Sequence, residues 1–180
     1  NGNGIFSEQT INTDDSGIQS VYAIDIDHDG DIDVFSGNDK HLTMHKNDGN
    51  ENFTTQHIRS GGYGHSNMRT YSIDAADIDN DSDLDLITST YYDNYVTWFE
   101  NNGSENFTYK QIDAHHLVQD ASIADIDNDG DIDVMSVGED RMVNWYENNG
   151  SGSFTTHNIA TANWPISISA KDIDNDGDVD

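Results

Sequence analysis

The sequence has no cysteine, so neither disulfide bonds nor thiolate metal sites are available to hold its 180 residues together. It has one proline and lacks the apolar run of about 18 residues that a membrane span needs, and we see no signal peptide. Basic residues are scarce too: seven lysines and arginines accompany 35 aspartates and glutamates, giving a formal net charge of −28. These absences argue against membrane insertion and against nucleic acid as a partner.

What the chain does contain is enough for a small core. Hydrophobic residues make up 33% of it, and the mean hydropathy of −0.76 indicates that this core is lean. Eight tyrosines, six phenylalanines and regularly spaced isoleucines and valines argue against disorder. We therefore expect a folded protein that needs some stabilising element other than disulfides.

An aspartate-rich segment of nine residues occurs in four copies. The copies read DIDHDGDID, DIDNDSDLD, DIDNDGDID and DIDNDGDVD, and they occupy residues 25–33, 77–85, 125–133 and 172–180. Their starting points are 52, 48 and 47 residues apart. A period of this length indicates a repeat architecture in which each copy belongs to one structural unit.

Within each unit, β-rich segments alternate with turn signals, and no helical period competes with them. Around the third copy the pattern predicts strands over residues 121–124, 132–137, 142–147 and 154–159. A lone sheet of four strands cannot cover both of its faces, so neighbouring units must stack as propeller blades do.

The sequence therefore predicts an all-β fold built of β-propeller blades, each with four antiparallel strands. We interpret residues 1–180 as a single propeller segment of about three and a half blades. The repeat units are placed approximately at 1–47, 48–101, 102–148 and 149–180, the last of them incomplete. The remaining blades would come from the parent chain or from another copy.

Each nine-residue loop carries aspartate at positions 1, 3, 5, 7 and 9. A tight loop can turn the carboxylates at positions 1, 3, 5 and 9 around a hard cation, while position 7 typically gives its backbone carbonyl. Calcium is favoured because the loops offer oxygen ligands, and magnesium demands stricter geometry. We expect three to four calcium ions, with these candidate ligands: Asp25, Asp27, Asp29, Asp31, Asp33, Asp77, Asp79, Asp81, Asp83, Asp85, Asp125, Asp127, Asp129, Asp131, Asp133, Asp172, Asp174, Asp176, Asp178 and Asp180.

Position 6 of the loop is glycine in three copies and Ser82 in the second. Glycine permits a sharp turn there, so the second loop is expected to bind more weakly or to have an altered turn. An EF-hand is excluded, because position 12 holds Ser36, Thr88 and Ser136 instead of glutamate, and strands are predicted to flank the loops.

The loops, together with the aromatic turns WFENNG at 98–103 and WYENNG at 145–150, resemble FG-GAP or VCBS repeats of the integrin-α-type calcium-binding propeller. The bacterial members, secreted or on the cell surface, are the more similar ones. The resemblance covers essentially the whole chain. It implies a seven-bladed propeller, calcium as the loop ligand and an extracellular location. At matching repeat positions, Trp98 and Trp145 are expected to pack between blades.

Irregular residues of this otherwise regular chain are the candidates for ligand binding. In a four-stranded meander the metal loops and Asn-Gly turns share one face, while the second turns and the connections between units share the other. Aromatic, aspartate, histidine and arginine side chains suited to sugar rings and hydroxyl groups fall on that second face. They are Tyr63, His65, Arg69, Tyr91, Tyr92, Asp93, His115, His116 and Trp164.

Three functions fit this interpretation. The first is a calcium-stabilised extracellular recognition or adhesion module that binds glycans or a surface protein. The second is the scaffold part of a secreted polysaccharide-degrading enzyme, although no catalytic signature is present. The third is a structural spacer or filament subunit of a surface protein.

Overall fold

A computed structural model describes residues 8, 10–11, 16–60, 69–91, 94–114, 117–174 and 176–179 of the chain. All the regular structure within these ranges is β-strand. The described part of the chain contains no helix of the length and apolar character needed to cross a membrane. The predicted all-β class is thereby confirmed.

In the described part of the chain, twelve strands form three separate sheets of four. The first sheet contains β1 Ser20–Ile24, β2 Asp33–Gly37, β3 His41–Asn47 and β4 Phe53–Ser60. The second contains β5 Thr70–Ala76, β6 Asp85–Thr90, β7 Tyr95–Asn101 and β8 Phe107–Ala114. The third contains β9 Val118–Ala124, β10 Asp133–Gly138, β11 Met142–Asn148 and β12 Phe154–Thr161.

Every sheet is an antiparallel meander whose strands are hydrogen-bonded in chain order. The third and fourth strands of each sheet shift register at the same repeat position, between Leu42 and Thr43, Val96 and Thr97, and Val143 and Asn144. The sheets thus share a local irregularity as well as a strand order. Blades of four antiparallel strands, as the repeat predicted, are confirmed, whereas the unit boundaries and the seven-bladed ring stay predictions.

Side chains from facing sheets build two cores. Phe35, Leu42 and Met44 of the first sheet pack with Leu86 and Phe99 of the second. The second core joins the second and third sheets through, among others, Ile87, Trp98, Val118, Val134 and Tyr146. β5 packs on β1 and β2, and β9 packs on β5, β6 and β7. Burying both faces of the middle sheet in this way is the stacking that the repeat requires.

The fourth unit is represented by its aspartate loop. Residues 162–174 follow β12 without joining a sheet, although the Ile168 N–H donates to Asp120 Oδ2 of β9 at 2.9 Å. An antiparallel strand forms only where a partner strand takes up its backbone hydrogen bonds.

Candidate metal centres

Each aspartate loop of the three sheets connects the first strand to the second. The loops run from Ile24 to Asp33, from Ala76 to Asp85 and from Ala124 to Asp133. Because each sheet is a meander, the loops lie at the same edge as the turns that join the third and fourth strands. The two turn types that the sequence placed on one face therefore do share it.

In each loop the carboxylates at positions 1, 3 and 5 converge. One oxygen from each residue lies within 4.8 Å of the others in all four copies. The members are Asp25, Asp27 and Asp29; Asp77, Asp79 and Asp81; Asp125, Asp127 and Asp129; and Asp172, Asp174 and Asp176. We refer to these groups as the carboxylate triads.

The position-1 aspartate holds its loop closed by accepting backbone hydrogen bonds. Asp25 accepts from the N–H groups of Asp29 at 3.0 Å and Gly30 at 2.9 Å. Asp77 accepts in the same way from Asp81 at 3.1 Å and Ser82 at 2.9 Å. The same side chain thus shapes the loop and contributes an oxygen to the triad.

The backbone at position 6 is left-handed in every copy. Its φ angle is 95° at Gly30, 97° at Gly130 and 98° at Gly177, and it is 76° at Ser82. The second loop therefore keeps the left-handed turn without glycine, at a conformational cost of about 1 kcal/mol. Weaker calcium binding by that loop stays a prediction.

In the three sheets, the position-9 aspartate lies outside the triad and is buried in the sheet edge, whereas Asp180 of the fourth loop lies outside the described residues. Asp85 Oδ1 accepts from the N–H of Asn101 at 2.7 Å, and its Oδ2 accepts from the N–H of Ile78 at 3.3 Å. Asp33 and Asp133 make the equivalent pairs of bonds. This carboxylate therefore ties the loop to the end of the third strand, a contact that sequence reasoning missed.

Burial raises the pKa of these position-9 carboxyl groups, because desolvation penalises their charged form more than the two N–H donors favour it. The pKa of Asp85 rises to about 6. In the absence of a cation, this raised pKa costs the folded state stability. The cost builds up as the pH rises from the ordinary aspartate pKa of 3.8 to about 6, and it stays constant above that pH.

Position 7 contacts the turn between the third and fourth strands. A Cβ atom on Gly49 would lie 2.3 Å from Asp31 Oδ2, and one on Gly103 would lie 2.4 Å from Asp83 Oδ2. A Cβ atom on Gly150 would likewise lie 2.5 Å from Asp131 Oδ1. A Cβ at any of these glycines would displace the facing carboxylate, and their φ angles of 74°, 71° and 73° are left-handed, so glycine is favoured at these Asn-Gly and Asp-Gly turns.

Position 4 links one loop to the next. Asn80 Nδ2 donates to Asp131 Oδ1 of the third loop at 2.9 Å, and Asn128 Nδ2 donates to Asp178 Oδ1 of the fourth at 2.8 Å. Sequence reasoning missed these bridges. The sequence did carry a signal for them. Positions 2 and 8 of every loop are apolar and position 6 is the turn residue, whereas position 4 is always polar, a histidine or an asparagine.

The chemistry of the triads fits a hard cation. Their ligand atoms are all carboxylate oxygens, with no imidazole or thiolate among them. In the second loop, Asp79 Oδ1 is buried and has no hydrogen-bond donor among the residues that the structure describes. The pKa of Asp79 is raised by burial and then by the neighbouring charges of Asp81, Glu100 and Asp77. A buried acceptor surrounded by like charges is a position that a bound cation would satisfy.

The first loop is different, because a lysine stands at its triad. Lys46 Nζ donates to Asp27 Oδ2 at 2.5 Å and also to Glu105 of the second sheet. Hydrogen bonding to this ammonium group lowers the pKa of Asp27. Equivalent triad aspartates therefore face opposite electrostatic surroundings in the first two loops.

Of the residues predicted to bind a ligand, the structure describes Arg69, Tyr91 and Trp164. Tyr63, His65, Tyr92, Asp93, His115 and His116 lie outside the described residues. Arg69 Nε donates to Asp39 Oδ1 at 3.0 Å, and its carbonyl accepts from the Tyr91 N–H at 3.1 Å. The hydroxyl of Tyr91 donates to Glu139 Oε1 of the third sheet at 2.7 Å.

Arg69 and Tyr91 are thus brought together, but both make contacts between neighbouring sheets. Trp164 is separate from them: its ring lies 5.9 Å from the Arg141 guanidinium carbon, and it is 68% exposed. Trp164 is therefore the described candidate with a large surface open to a ligand.

A family model for the FG-GAP-like repeat matches the chain three times, over residues 25–88, 77–135 and 125–180. The chain belongs to the FG-GAP-like repeat family. Each match begins at position 1 of an aspartate loop and extends into or beyond the next loop. The resemblance to FG-GAP repeats inferred from the loops and aromatic turns is confirmed, whereas the calcium-binding character of the integrin-α-type propeller stays a prediction.

One solved structure similar to these FG-GAP-like repeats is that of an Agrocybe aegerita lectin that recognises non-reducing terminal N-acetylglucosamine. The two share 22% sequence identity with a TM-score of 0.58, over 79% of this chain and 39% of the lectin chain. The likeness concerns the fold, and this chain spans well under half of the lectin. No curated protein matches the chain.

Proposed function

We propose that this chain is the calcium-binding part of an extracellular recognition module. The observation that carries the proposal is the convergence of three carboxylates in each of four loops. FG-GAP-like repeats are typically calcium-binding, and the chain has only seven basic residues to balance its 35 acidic ones. Calcium would neutralise charge where it is most crowded and would join loop segments that no disulfide can join.

The triad residues would be the principal calcium ligands of each loop. Calcium takes about six to eight oxygens, so further ligands are needed beyond three aspartates. Position 7 can add its backbone carbonyl, and position 9 retains lone pairs beside those that accept the two N–H groups. Magnesium fits less well, because it dehydrates reluctantly and requires near-octahedral geometry.

Calorimetric titration of the full chain with calcium chloride tests this proposal, and we expect three to four sites. The substitution Asp127→Asn changes position 3 of the third triad and should remove one site. The control is Asp113→Asn, which makes the same charge change on β8, away from the loops, where Asp113 accepts from the Ala114 N–H at 2.7 Å. Equal calcium stoichiometry in all three proteins would contradict the proposed ligands.

The recognition function is proposed for the face opposite the loops, since calcium would leave the loop face structural. A glycan is the favoured ligand, because a lectin shares the fold and because Trp164 offers an exposed aromatic surface to a sugar ring. A surface protein is the other candidate partner. Millimolar calcium outside cells would keep such loops filled, which is why we propose a secreted or cell-surface location.

The cleanest test of recognition is Trp164→Ala, because Arg69 and Tyr91 also connect sheets and their loss would mix binding with stability. We expect loss of binding on a glycan array that includes terminal N-acetylglucosamine. Ile166→Ala is the matched control, since Ile166 is a nearby apolar residue and is 77% exposed. Retained binding by the Trp164 variant to a glycan that the wild type binds would place the site elsewhere.

A further inference from the structure

One position of the third strand carries opposite charges in different sheets. It holds Lys46 in β3, Glu100 in β7 and Glu147 in β11. In each strand the next residue is an asparagine whose N–H donates to the position-9 aspartate of the loop. The three side chains therefore start from equivalent backbone positions at the edge of their metal loops.

In the second and third sheets, a nitrogen-bearing side chain on the fourth strand contacts the glutamate: a lysine in the second sheet and a histidine in the third. Lys110 Nζ lies 2.7 Å from Glu100 Oε1, and His157 Nε2 lies 2.7 Å from Glu147 Oε2. The first sheet has Gln56 at the position of these two side chains, opposite Met44 as Lys110 is opposite Trp98. The amide of Gln56 donates to the carbonyl of Glu105 at 3.3 Å.

The reversed charge brings an ammonium group into the first triad. Lys46 Nζ is 2.5 Å from Asp27 Oδ2, an oxygen of a position-3 carboxylate. The same ammonium contacts Glu105 in the turn between β7 and β8 of the second sheet. All three side chains are partly shielded, with exposures of 30% for Lys46, 23% for Asp27 and 21% for Glu105.

We propose that Lys46 is a built-in counter-ion of the first loop, which makes the first loop a weaker calcium site than the third loop, where Glu147 stands at the equivalent position. The inference rests on the proposed function, because it ranks sites that calcium is proposed to fill. A divalent cation in the first triad would face a positive charge bonded to one of its ligands, whereas the second triad has Glu100 beside Asp79. A unit positive charge in direct contact with one of the ligands should lower the calcium affinity of the triad by at least about tenfold.

The ion pairs of Lys46 also connect two sheets, since Asp27 belongs to the first and Glu105 to the second. Calcium that enters the first triad must draw Asp27 away from this ammonium or accept its repulsion. The first loop is therefore held to its neighbour without a metal, and filling it competes with that connection.

A calcium titration followed by ¹⁵N–¹H NMR resolves the loops individually. The position-6 amides of Gly30, Ser82 and Gly130 each donate to the position-1 carboxylate of their own loop, so their chemical shifts report local filling. In the wild type, we expect the Gly30 midpoint at a calcium concentration at least about tenfold above that of Gly130. Lys46→Glu and Lys46→Gln should each lower the Gly30 midpoint by about tenfold or more and leave Gly130 unchanged.

The reciprocal variant Glu100→Lys should raise the Ser82 midpoint by a similar factor and leave Gly130 unchanged. Lys46→Gln removes the positive charge while keeping a long polar side chain. It therefore tests the effect of that charge on the first site even if Lys46→Glu does not fold. The inference is overturned if the Gly30 and Gly130 midpoints coincide in the wild type, or if Lys46→Gln leaves Gly30 where it was. Calcium binding itself stands in those cases, whereas the absence of any response at all amides and of any calorimetric heat overturns the proposed function.

Discussion

Excess chelator should lower the free energy of unfolding of this chain by about 8 to 11 kcal/mol if three or four sites are filled. Each site contributes on the order of 2.7 kcal/mol when calcium exceeds its dissociation constant about a hundredfold, because calcium binds the folded loop and not the unfolded chain. Typical domains are stable by only about 5–15 kcal/mol. We therefore expect the calcium-free chain to melt at a much lower temperature, measured by circular dichroism with and without EDTA.

Salt must be controlled in this experiment, because a net charge of −28 destabilises the folded chain and any cation screens it. The reference sample therefore contains EDTA and sodium chloride at the ionic strength of the calcium sample. Calcium added back in excess of the chelator should restore the original melting temperature. An unchanged melting temperature in excess chelator would contradict the stabilising role.

The sequence predicted the fold well because the information was local. Strand alternation and Asn-Gly turns predicted residues 142–147 and 154–159, and the structure has β11 at Met142–Asn148 and β12 at Phe154–Thr161. The first strand of that sheet was predicted too short, at 121–124, and β9 begins at Val118. Its early part pairs across a register shift between Val137 and Gly138, and a register shift depends on the partner strand.

The loops were predicted from spacing, but spacing does not tell what each aspartate contacts. Position 9 bonds to the N–H of Asn101 or its equivalents, which is 16 residues away along the chain in the case of Asp85. The position-7 carboxylate contacts the glycine of the turn between the third and fourth strands, and the position-4 side chain donates to the loop of the next repeat. These contacts arise only when two turns of one sheet, or two sheets, meet, so a linear pattern of nine residues does not contain them.

The predicted ligand residues show a similar limit. The meander topology was enough to assign Arg69 and Tyr91 to the face opposite the loops. It did not show that Asp39 and Glu139, from the turns of the neighbouring sheets, would bond to them. Irregular residues can serve the joint between repeats as well as a ligand, and only the spatial neighbours distinguish the two roles.

Replacement of Trp98 by alanine should destabilise the chain by about 3–5 kcal/mol, because a large buried side chain would leave a cavity. Trp98 is 2% exposed and lies at the joint of the second and third sheets, with its ring 6.3 Å from that of Phe154 in an edge-to-face arrangement. The expectation that it packs between blades agrees with this position. Urea denaturation in saturating calcium measures the change.

Trp145→Ala is the matched control, since Trp145 occupies the same repeat position but is only half-buried and stacks on His157 at 4.6 Å. Its loss should cost clearly less than that of Trp98. A second pair tests the same joint from the other side: a Cβ on Gly152 would lie 2.2 Å from the Trp98 ring, whereas one on Gly17 would meet no atom of the described residues within 4 Å. Both glycines have left-handed φ angles, 68° and 72°, so backbone strain is alike in the two alanine variants.

Gly152→Ala should therefore lower the free energy of unfolding more than Gly17→Ala does. The difference between the two variants measures the effect of the close approach between the second and third sheets. Because each repeat contacts only its neighbours, hydrogen exchange should accelerate in β9–β12 of the Trp98 and Gly152 variants before it does in β1–β4. Equal destabilisation by Trp98→Ala and Trp145→Ala, with uniform exchange in all three sheets, would show that Trp98 does not hold this joint.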